Sequence, residues 1–427
     1  MGQAGPLEEN TMMQNNHRRV VVTGLGVISP VGNTVESCWQ NLTAGIHGIG
    51  PITLLDAAEY KAKVAAEVKD FDPRGYMEKT ETLRTDRYAQ FALAAACQAV
   101  EESGVIGTLP PDRVAVYFGS GIGGINTFTE EHSKLISRGP KRVSPFFVPM
   151  MIANMAAGQI AIRFNCQGAA LPAVTACASG SNAIGEALRV IRHGYADAVI
   201  TGGAEAAINP CGVAGFINMQ ALSVAQDPNQ ASLPFDNRRG GFVIGEGAAA
   251  LVLEEYEHAV SRGAKIYGEV CGYGSTCDAY HITAPRPDAD GGARAMELAL
   301  AKTGYRKGES VYVNAHGTGT PLNDVAETAA IKRALGEDEA KQAWISSTKS
   351  MTGHMLGAAG AIEALVCLKA METGVLPPTI NLLEPDPACD LNYIPNQAVE
   401  AQADLYLSNS LGFGGHNACL AFRKVTV

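Results

Sequence analysis

Short unbroken runs of apolar, often β-branched residues recur at positions 19–24, 114–118, 197–201, 248–253 and 311–314. Runs of this length, bounded by Gly, Asp or Asn, are the pattern of strands buried on both faces. Between them lie Ala-rich stretches at 86–102, 181–193, 291–302 and 324–335 whose apolar positions recur three and four apart, predicting amphipathic helices. Strands alternating with helices predict an α/β protein with mostly parallel, buried sheets. The first strand is expected to end at Gly24.

A weak internal echo refines this picture. Val174-Thr-Ala-Cys177 leads into a small-residue helix containing Ala183-Ile-Gly-Glu-Ala-Leu188, and Ser347-Thr-Lys-Ser-Met-Thr-Gly-His354 leads into Ala361-Ile-Glu-Ala-Leu365. Each is a strand, a polar turn, then a helix rich in Ala and Gly. Over a chain of 427 residues this suggests a duplicated α/β unit whose central helices pack together. The 47 glycines, many beside Ala or Ser, fit backbones that approach closely.

Charge and cysteine usage narrow the function classes. The net charge of -10 argues against nucleic acid or an anionic membrane as a partner, so an acidic partner needs a local basic patch. Ten cysteines without paired spacing, and no apolar leader in residues 1–20, predict a cytoplasmic protein with reduced thiols. The longest apolar helix stretch, 91–100, is far short of a membrane span.

Thr23-Gly-Leu-Gly26 has the look of a dinucleotide-binding turn. That turn needs a helix directly after the strand, and Pro30 lies where the helix should run, so the glycines are read as turn residues. Cys177 lies between a predicted strand and a Gly/Ser-started helix, the arrangement of a nucleophile elbow. There, unpaired N–H groups and the helix dipole are expected to lower the thiol pKa. His316 and His354 each occupy a Gly/Thr loop at a strand end. Any one of the three could equally be structural. Together they suit carbanion chemistry on a thioester, with a thiolate taking an acyl group and two neutral imidazoles donating to an enolate oxygen. Cys271, Cys277 and His281 fall close in sequence, but their spacing matches no common zinc pattern, and no metal is expected.

Five ordered motifs carry a family resemblance: Thr175-Ala-Cys-Ala-Ser-Gly, Thr201-Gly-Gly-Ala-Glu-Ala, Asn314-Ala-His-Gly-Thr-Gly-Thr, Lys349-Ser-Met-Thr-Gly-His and Ser408-Asn-Ser-Leu-Gly-Phe-Gly-Gly. From about Arg19 to Arg423 the chain resembles the elongating β-ketoacyl-acyl-carrier-protein synthases of the thiolase superfamily, closest to the type called synthase II. The segment Asp278-Ala-Tyr-His-Ile-Thr-Ala-Pro resembles synthase II more than synthase I. The polar, aperiodic start of the chain is expected to be a flexible extension, at 1–18, and the resemblance implies a duplicated five-layered αβαβα body, with a half at 19–265 carrying the nucleophile and a half at 266–427 carrying both histidines. It implies an acyltransferase that works as a homodimer, performs decarboxylative condensation, and takes acyl and malonyl groups from acyl-carrier protein. No cofactor is implied beyond the phosphopantetheine that the carrier brings.

By the same resemblance Cys177 is the acylated nucleophile, and His316 and His354 assist decarboxylation. Lys349 sets the electrostatics around His354, with Glu363 as its buried partner. The N–H groups of Cys177 and Phe413 form the oxyanion hole, and Phe413 gates the acyl pocket. Thr318 and Thr320 bind the phosphopantetheine arm, and Ile122 and Phe147, the latter across the dimer, line the far acyl pocket. Carrier docking falls to Arg84, Arg87, Lys141 and Arg142. Four residues depart from the family pattern: Leu411 beside the gate replaces Phe, His416 replaces Thr, Gly240 replaces Asp, and Glu81 lies in a segment usually more basic. A polyketide ketosynthase shares the Cys-His-His set and is the alternative activity. A thiolase would need a second cysteine within residues 411–415, and a non-catalytic partner subunit would generally lack the nucleophile.

Overall fold

The computed structural model of the chain describes residues 18–425, so the predicted extension at 1–18 falls outside the described residues except for Arg18. Ten strands form the main sheet. The first five are β1 (Val20–Ile28), β2 (Val114–Gly119), β3 (Ala170–Ala173), β4 (Ala198–Glu205) and β5 (Gly247–Glu255). The second five are β6 (Gly268–Cys277), β7 (Val311–Asn314), β8 (Trp344–Ser346), β9 (Leu405–Gly412) and β10 (His416–Arg423). Their lateral order is β8-β7-β9-β10-β6-β1-β5-β4-β2-β3.

That order is one five-stranded pattern used twice. Within each half the second strand pairs parallel with the third and fourth. The fifth strand pairs antiparallel with the fourth and first. The halves meet where Val21 and Val22 of β1 pair with Glu269 and Gly268 of β6. The sheets are therefore mixed, not mostly parallel as the sequence pattern suggested. Only residues 413–415 separate β9 from β10, too few for the crossover that a parallel neighbour requires.

The helices that matter for the site are α1 (Arg87–Ser103), α2 (Ile125–Arg138), α3 (Met155–Phe164), α4 (Ser179–Arg192), α5 (Asp290–Leu300), α6 (Pro321–Leu335) and α7 (Ala359–Thr373). Asp86 caps α1 by accepting from the Tyr88 N–H, and Gly104 ends it in the left-handed conformation. Helices α1 and α5 cover the outer faces, while α4 and α7 are buried together between the halves. The layers run αβαβα.

Glycines set the layer spacing. Gly24 and Gly26 lie inside β1, which continues to Ile28, and a Cβ on either would collide with the carbonyls of Ala99 and Ala95 on α1. They are close-packing residues within a strand, not the turn residues that the sequence suggested. Gly272 and Gly274 of β6 stand in the same relation to Ala299 and Ala295 of α5. At the centre, a Cβ on Gly180 would lie 2.9 Å from the Ala361 nitrogen, and one on Gly360 would meet Ser181. Among the described residues no helix is long and apolar enough to cross a membrane.

Because carbonyl oxygens cannot rotate away, Gly26→Ala and Gly274→Ala should each destabilise the protein by about 1–3 kcal/mol. Thermal unfolding of each variant measures this. An unchanged midpoint in both would show that the outer layers can separate freely.

Candidate active site

After β3 only Val174 and Thr175 precede a single 3-10 turn, Ala176–Ala178, which runs straight into α4. Ala176 holds φ at 48°, a left-handed value that costs a residue with a Cβ. The turn is pinned by Ser179, whose hydroxyl accepts from the Thr175 N–H at 2.9 Å and donates to the Ala176 carbonyl at 2.7 Å. This strained elbow places Cys177 on the wall of a cavity of about 360 Å³.

The second half repeats the elbow. Leu356–Ala358 form the same turn before α7, and Leu356 holds φ at 47°. Gly357 therefore stands where the first half has Cys177. Here residues 347–355, not two residues, separate strand from turn, and this longer connection carries Lys349 and His354 to the site. His316 arrives on the loop after β7, where Glu327 of α6 accepts the N–H groups of His316 and Gly317 at 2.7 Å each.

The three side chains meet. His354 Nε2 lies 3.0 Å from Cys177 Sγ, and the two imidazole rings stand 5.2 Å apart at 87°. Lys349 Nζ lies 3.4 Å from His316 Nδ1 and forms a buried ion pair with Glu363. An ammonium can only donate, so His316 Nδ1 accepts and its proton sits on Nε2. Phe242 packs edge-on against His354 at 5.0 Å, Phe216 against Phe242 at 5.6 Å, and Phe413 lies 6.5 Å from Phe216.

Thr318, Thr320, Leu411 and Phe413 line the same cavity, with the two threonine hydroxyls 3.1 Å apart. Ile122 and Phe147 do not line it. Ile122 sits in the turn after β2, and Phe147 opens the short helix Phe147–Met151 with its ring 6.3 Å from Phe128. Of the sequence departures, Gly240 has open space where a Cβ would stand, and His416 pairs across the sheet with Cys277. Glu81 forms an ion pair with Arg163 at 2.8 Å.

The thiol is not depressed, which corrects the expectation from sequence. Burial pushes Cys177 up to about 12, opposed by the Lys349 charge and by the Phe413 N–H. The lone turn of partial positive charge at the α4 N-terminus does not outweigh complete removal from water. Burial also holds His316 and His354 well below the ordinary imidazole range, with Lys349 adding to it. The resting site is thus a neutral thiol beside two neutral imidazoles.

Cys177, His316 and His354 are also the one group of metal-binding type among the described residues; Cys271, Cys277 and His281 are not brought together. Zinc bonds of ~2.0–2.3 Å in tetrahedral geometry put ligand atoms roughly 3.5 Å apart. The 3.0 Å separation of sulfur and nitrogen fits a hydrogen bond instead. Sequence reasoning missed Glu327 and Phe242. Glu327 sits on an Ala-rich helix like many surface acids, and only the fold turns it inward.

Fold and site together define a thiolase-like condensing enzyme. Residues 17–259 match the family described as Beta-ketoacyl synthase, N-terminal domain, and 267–383 match Beta-ketoacyl synthase, C-terminal domain. The chain is 52% identical over 409 residues to 3-oxoacyl-[acyl-carrier-protein] synthase 2 of Synechocystis sp., covering 95% of this chain and 98% of that protein. It is 48% identical over 414 residues to the synthase 2 of Staphylococcus aureus, covering 97% and 99%. Among solved structures it resembles a β-ketoacyl synthase from Burkholderia phymatum, at 36% identity and TM-score 0.89, covering 96% of this chain and 100% of that one. It equally resembles a type II polyketide ketosynthase solved with its acyl-carrier protein, at 34% identity, TM-score 0.89 and the same coverage. The chain belongs to the β-ketoacyl synthase family.

A thiol pushed up by burial gains thiolate as pH rises, about tenfold per unit while pH stays below its pKa. Peptide-resolved alkylation of Cys177 by iodoacetamide should therefore keep accelerating from pH 6 to 9. A plateau below pH 7 would instead reveal a standing thiolate–imidazolium pair.

Proposed function

We infer that this protein is a β-ketoacyl-acyl-carrier-protein synthase of fatty acid elongation. The observation that carries the reading is the single cavity in which Cys177 Sγ meets His354 Nε2 at 3.0 Å while Lys349 fixes the His316 tautomer. In the first half-reaction Cys177 sulfur attacks the acyl thioester carbonyl, its proton passing to the departing carrier thiol, with the Cys177 and Phe413 N–H groups holding the oxyanion. In the second, malonyl-carrier loses CO2, and the enolate oxygen is held by the two Nε2–H groups. The enolate carbon then attacks acyl-Cys177 and expels the thiolate. Neither step needs a redox group, nucleotide or metal, and the phosphopantetheine enters with its carrier along Thr318 and Thr320.

The identities favour fatty acid elongation over polyketide assembly, at 52% and 48% against 34%. A cytoplasmic setting is supported by ten unpaired cysteines. The homodimer is supported by an imbalance between the halves. The outer edge of β8 is covered, the Ile345 N–H donating to Asn392 at 2.8 Å, whereas β3 is largely exposed along its open edge. Leu171, Val174 and Ile162 are 48%, 53% and 79% exposed there, and a second copy pairing along β3 would cover them. In this reading the acyl pocket runs beyond the described cavity as far as Ile122, with Phe147 from the second copy. Of the candidate docking residues, Arg87 is committed to buried Glu246 by two hydrogen bonds and is withdrawn from that role. Arg84, stacked 4.6 Å over Phe146, and the exposed Lys141 and Arg142 remain for the acidic carrier.

Cys177→Ala should abolish acyl transfer and spare some malonyl decarboxylation. His316→Ala or His354→Ala should each cost condensation on the order of a hundredfold. Near wild-type condensation by the Cys177 variant, or elongation within twofold by both histidine variants, would sink the reading. An elongation assay with acyl-carrier and malonyl-carrier measures all three.

Reversing Arg84, Lys141 or Arg142 to Glu should raise KM for carrier-bound substrate, spare small thioester analogues, and lose its effect as salt rises. Unchanged KM in all three would place docking elsewhere.

A further inference from the structure

The motif Thr201-Gly-Gly-Ala-Glu-Ala ends β4 in a carboxylate that the reaction above does not use. Glu205 is fully buried and accepts four hydrogen bonds: from the Gly121 N–H at 2.7 Å, the Gly357 N–H at 3.0 Å, the Ser120 hydroxyl at 3.0 Å and the Ile122 N–H at 3.2 Å. Ser120 in turn accepts the Gly123 N–H at 3.0 Å, so the whole turn after β2 hangs from this one side chain. Burying a carboxylate is costly unless every oxygen is answered, and here both are.

The two ends of this clamp are the two elbows. On one side, a Cβ on Gly121 would lie 3.3 Å from the carbonyl of Ala176, the strained residue that precedes Cys177. On the other, Gly357 packs so closely on Ser120, Gly121 and Glu205 that no side chain fits. The duplication shows what Glu205 replaces. It is the last residue of β4, and its counterpart at the end of β9 is Gly412. Gly412 lies against the Cys177 N–H and leaves the space before the thiol open, with both residues on the cavity wall. In the other half the Glu205 carboxylate fills the corresponding space and takes the Gly357 N–H.

We propose that Glu205 is a positioning residue for acyl transfer: it plugs the unused copy of the site and, by clamping the turn 120–123 against Ala176, fixes the elbow that aims Cys177. The proposal rests on the reading that Cys177 is acylated. Decarboxylation depends on different anchors: Glu327 holds the His316 loop, Lys349 meets the His316 ring, and the His354 main chain, although only three residues from Gly357, is bonded on both sides to Val243 and Gly245. Loss of the clamp therefore falls mainly on acyl transfer.

Glu205→Gln keeps the size but turns one acceptor into a donor facing N–H groups. Acylation of Cys177, followed by intact mass, should slow by about tenfold or more, as expected of a misplaced nucleophile. Malonyl-carrier decarboxylation, followed as CO2 release, should stay within twofold. Ser120→Ala, which removes one of the four bonds to Glu205 together with the link to Gly123 and leaves the three main-chain bonds, should shift the same ratio less strongly and covers the case of a Glu205 variant that does not fold. Unchanged acylation, or equal loss of both half-reactions in either soluble variant, would reduce Glu205 to a structural residue and overturn the proposal. Wild-type protein that takes no acyl group at Cys177 would overturn the underlying reading and this inference with it.

Discussion

Everything at the site depends on backbone touching backbone between the first turns of α4 and α7. Gly180 faces Gly357 and Ala361, Gly360 faces Ser181, and the hydroxyls of Ser181 and Ser410 meet at 2.8 Å across the seam. Close packing of this kind tolerates no added methyl without moving a helix. Since each helix begins at an elbow, the approach of the helices sets the distance between the thiol on one and the histidine connection leading into the other. Chemistry at the centre of a duplicated fold is in this sense a packing outcome.

Charge is then arranged around a buried centre. Lys349 and Glu363 neutralise each other at 1% exposure each, and Glu205 and Glu327 spend their oxygens mainly on backbone N–H groups. Phe413, Phe242 and His354 line the cavity, and Phe216 packs between the two phenylalanine rings. Burial of these groups favours the proton on sulfur and disfavours it on the imidazoles.

Much of this was legible in the chain. The alternation of strand and helix patterns is local, and the motifs around Cys177, His316 and His354 sit at strand ends, so both fold class and the central triad followed. The role of Gly24 and Gly26 was not legible, because a glycine in a strand looks like a turn until the helix that packs on it is known. The direction of the Cys177 shift failed for a related reason. The helix start is visible in sequence, but the depth of burial that outweighs it belongs to the assembled layers. Glu205 and Glu327 escaped notice as carriers of geometry because their partners are main-chain groups, which leave no trace in residue type.

The two sheet edges differ, and the difference bears on the size to which the protein can assemble. Residues 377–398 include Asn392 and Thr379, which bond the main chain at Ile345 and Ser347 and so close the β8 edge, while β3 stays open and carries Pro172. A molecule with two bare edges could add copies without end, as fibres do. With one edge capped, the two-fold pairing proposed along β3 would use the remaining open edge of the main sheet among the described residues, and growth would stop at a closed pair. In that assembly the crossover that seals β8 would act as a terminator, set at the far end of the sheet from the surface it controls.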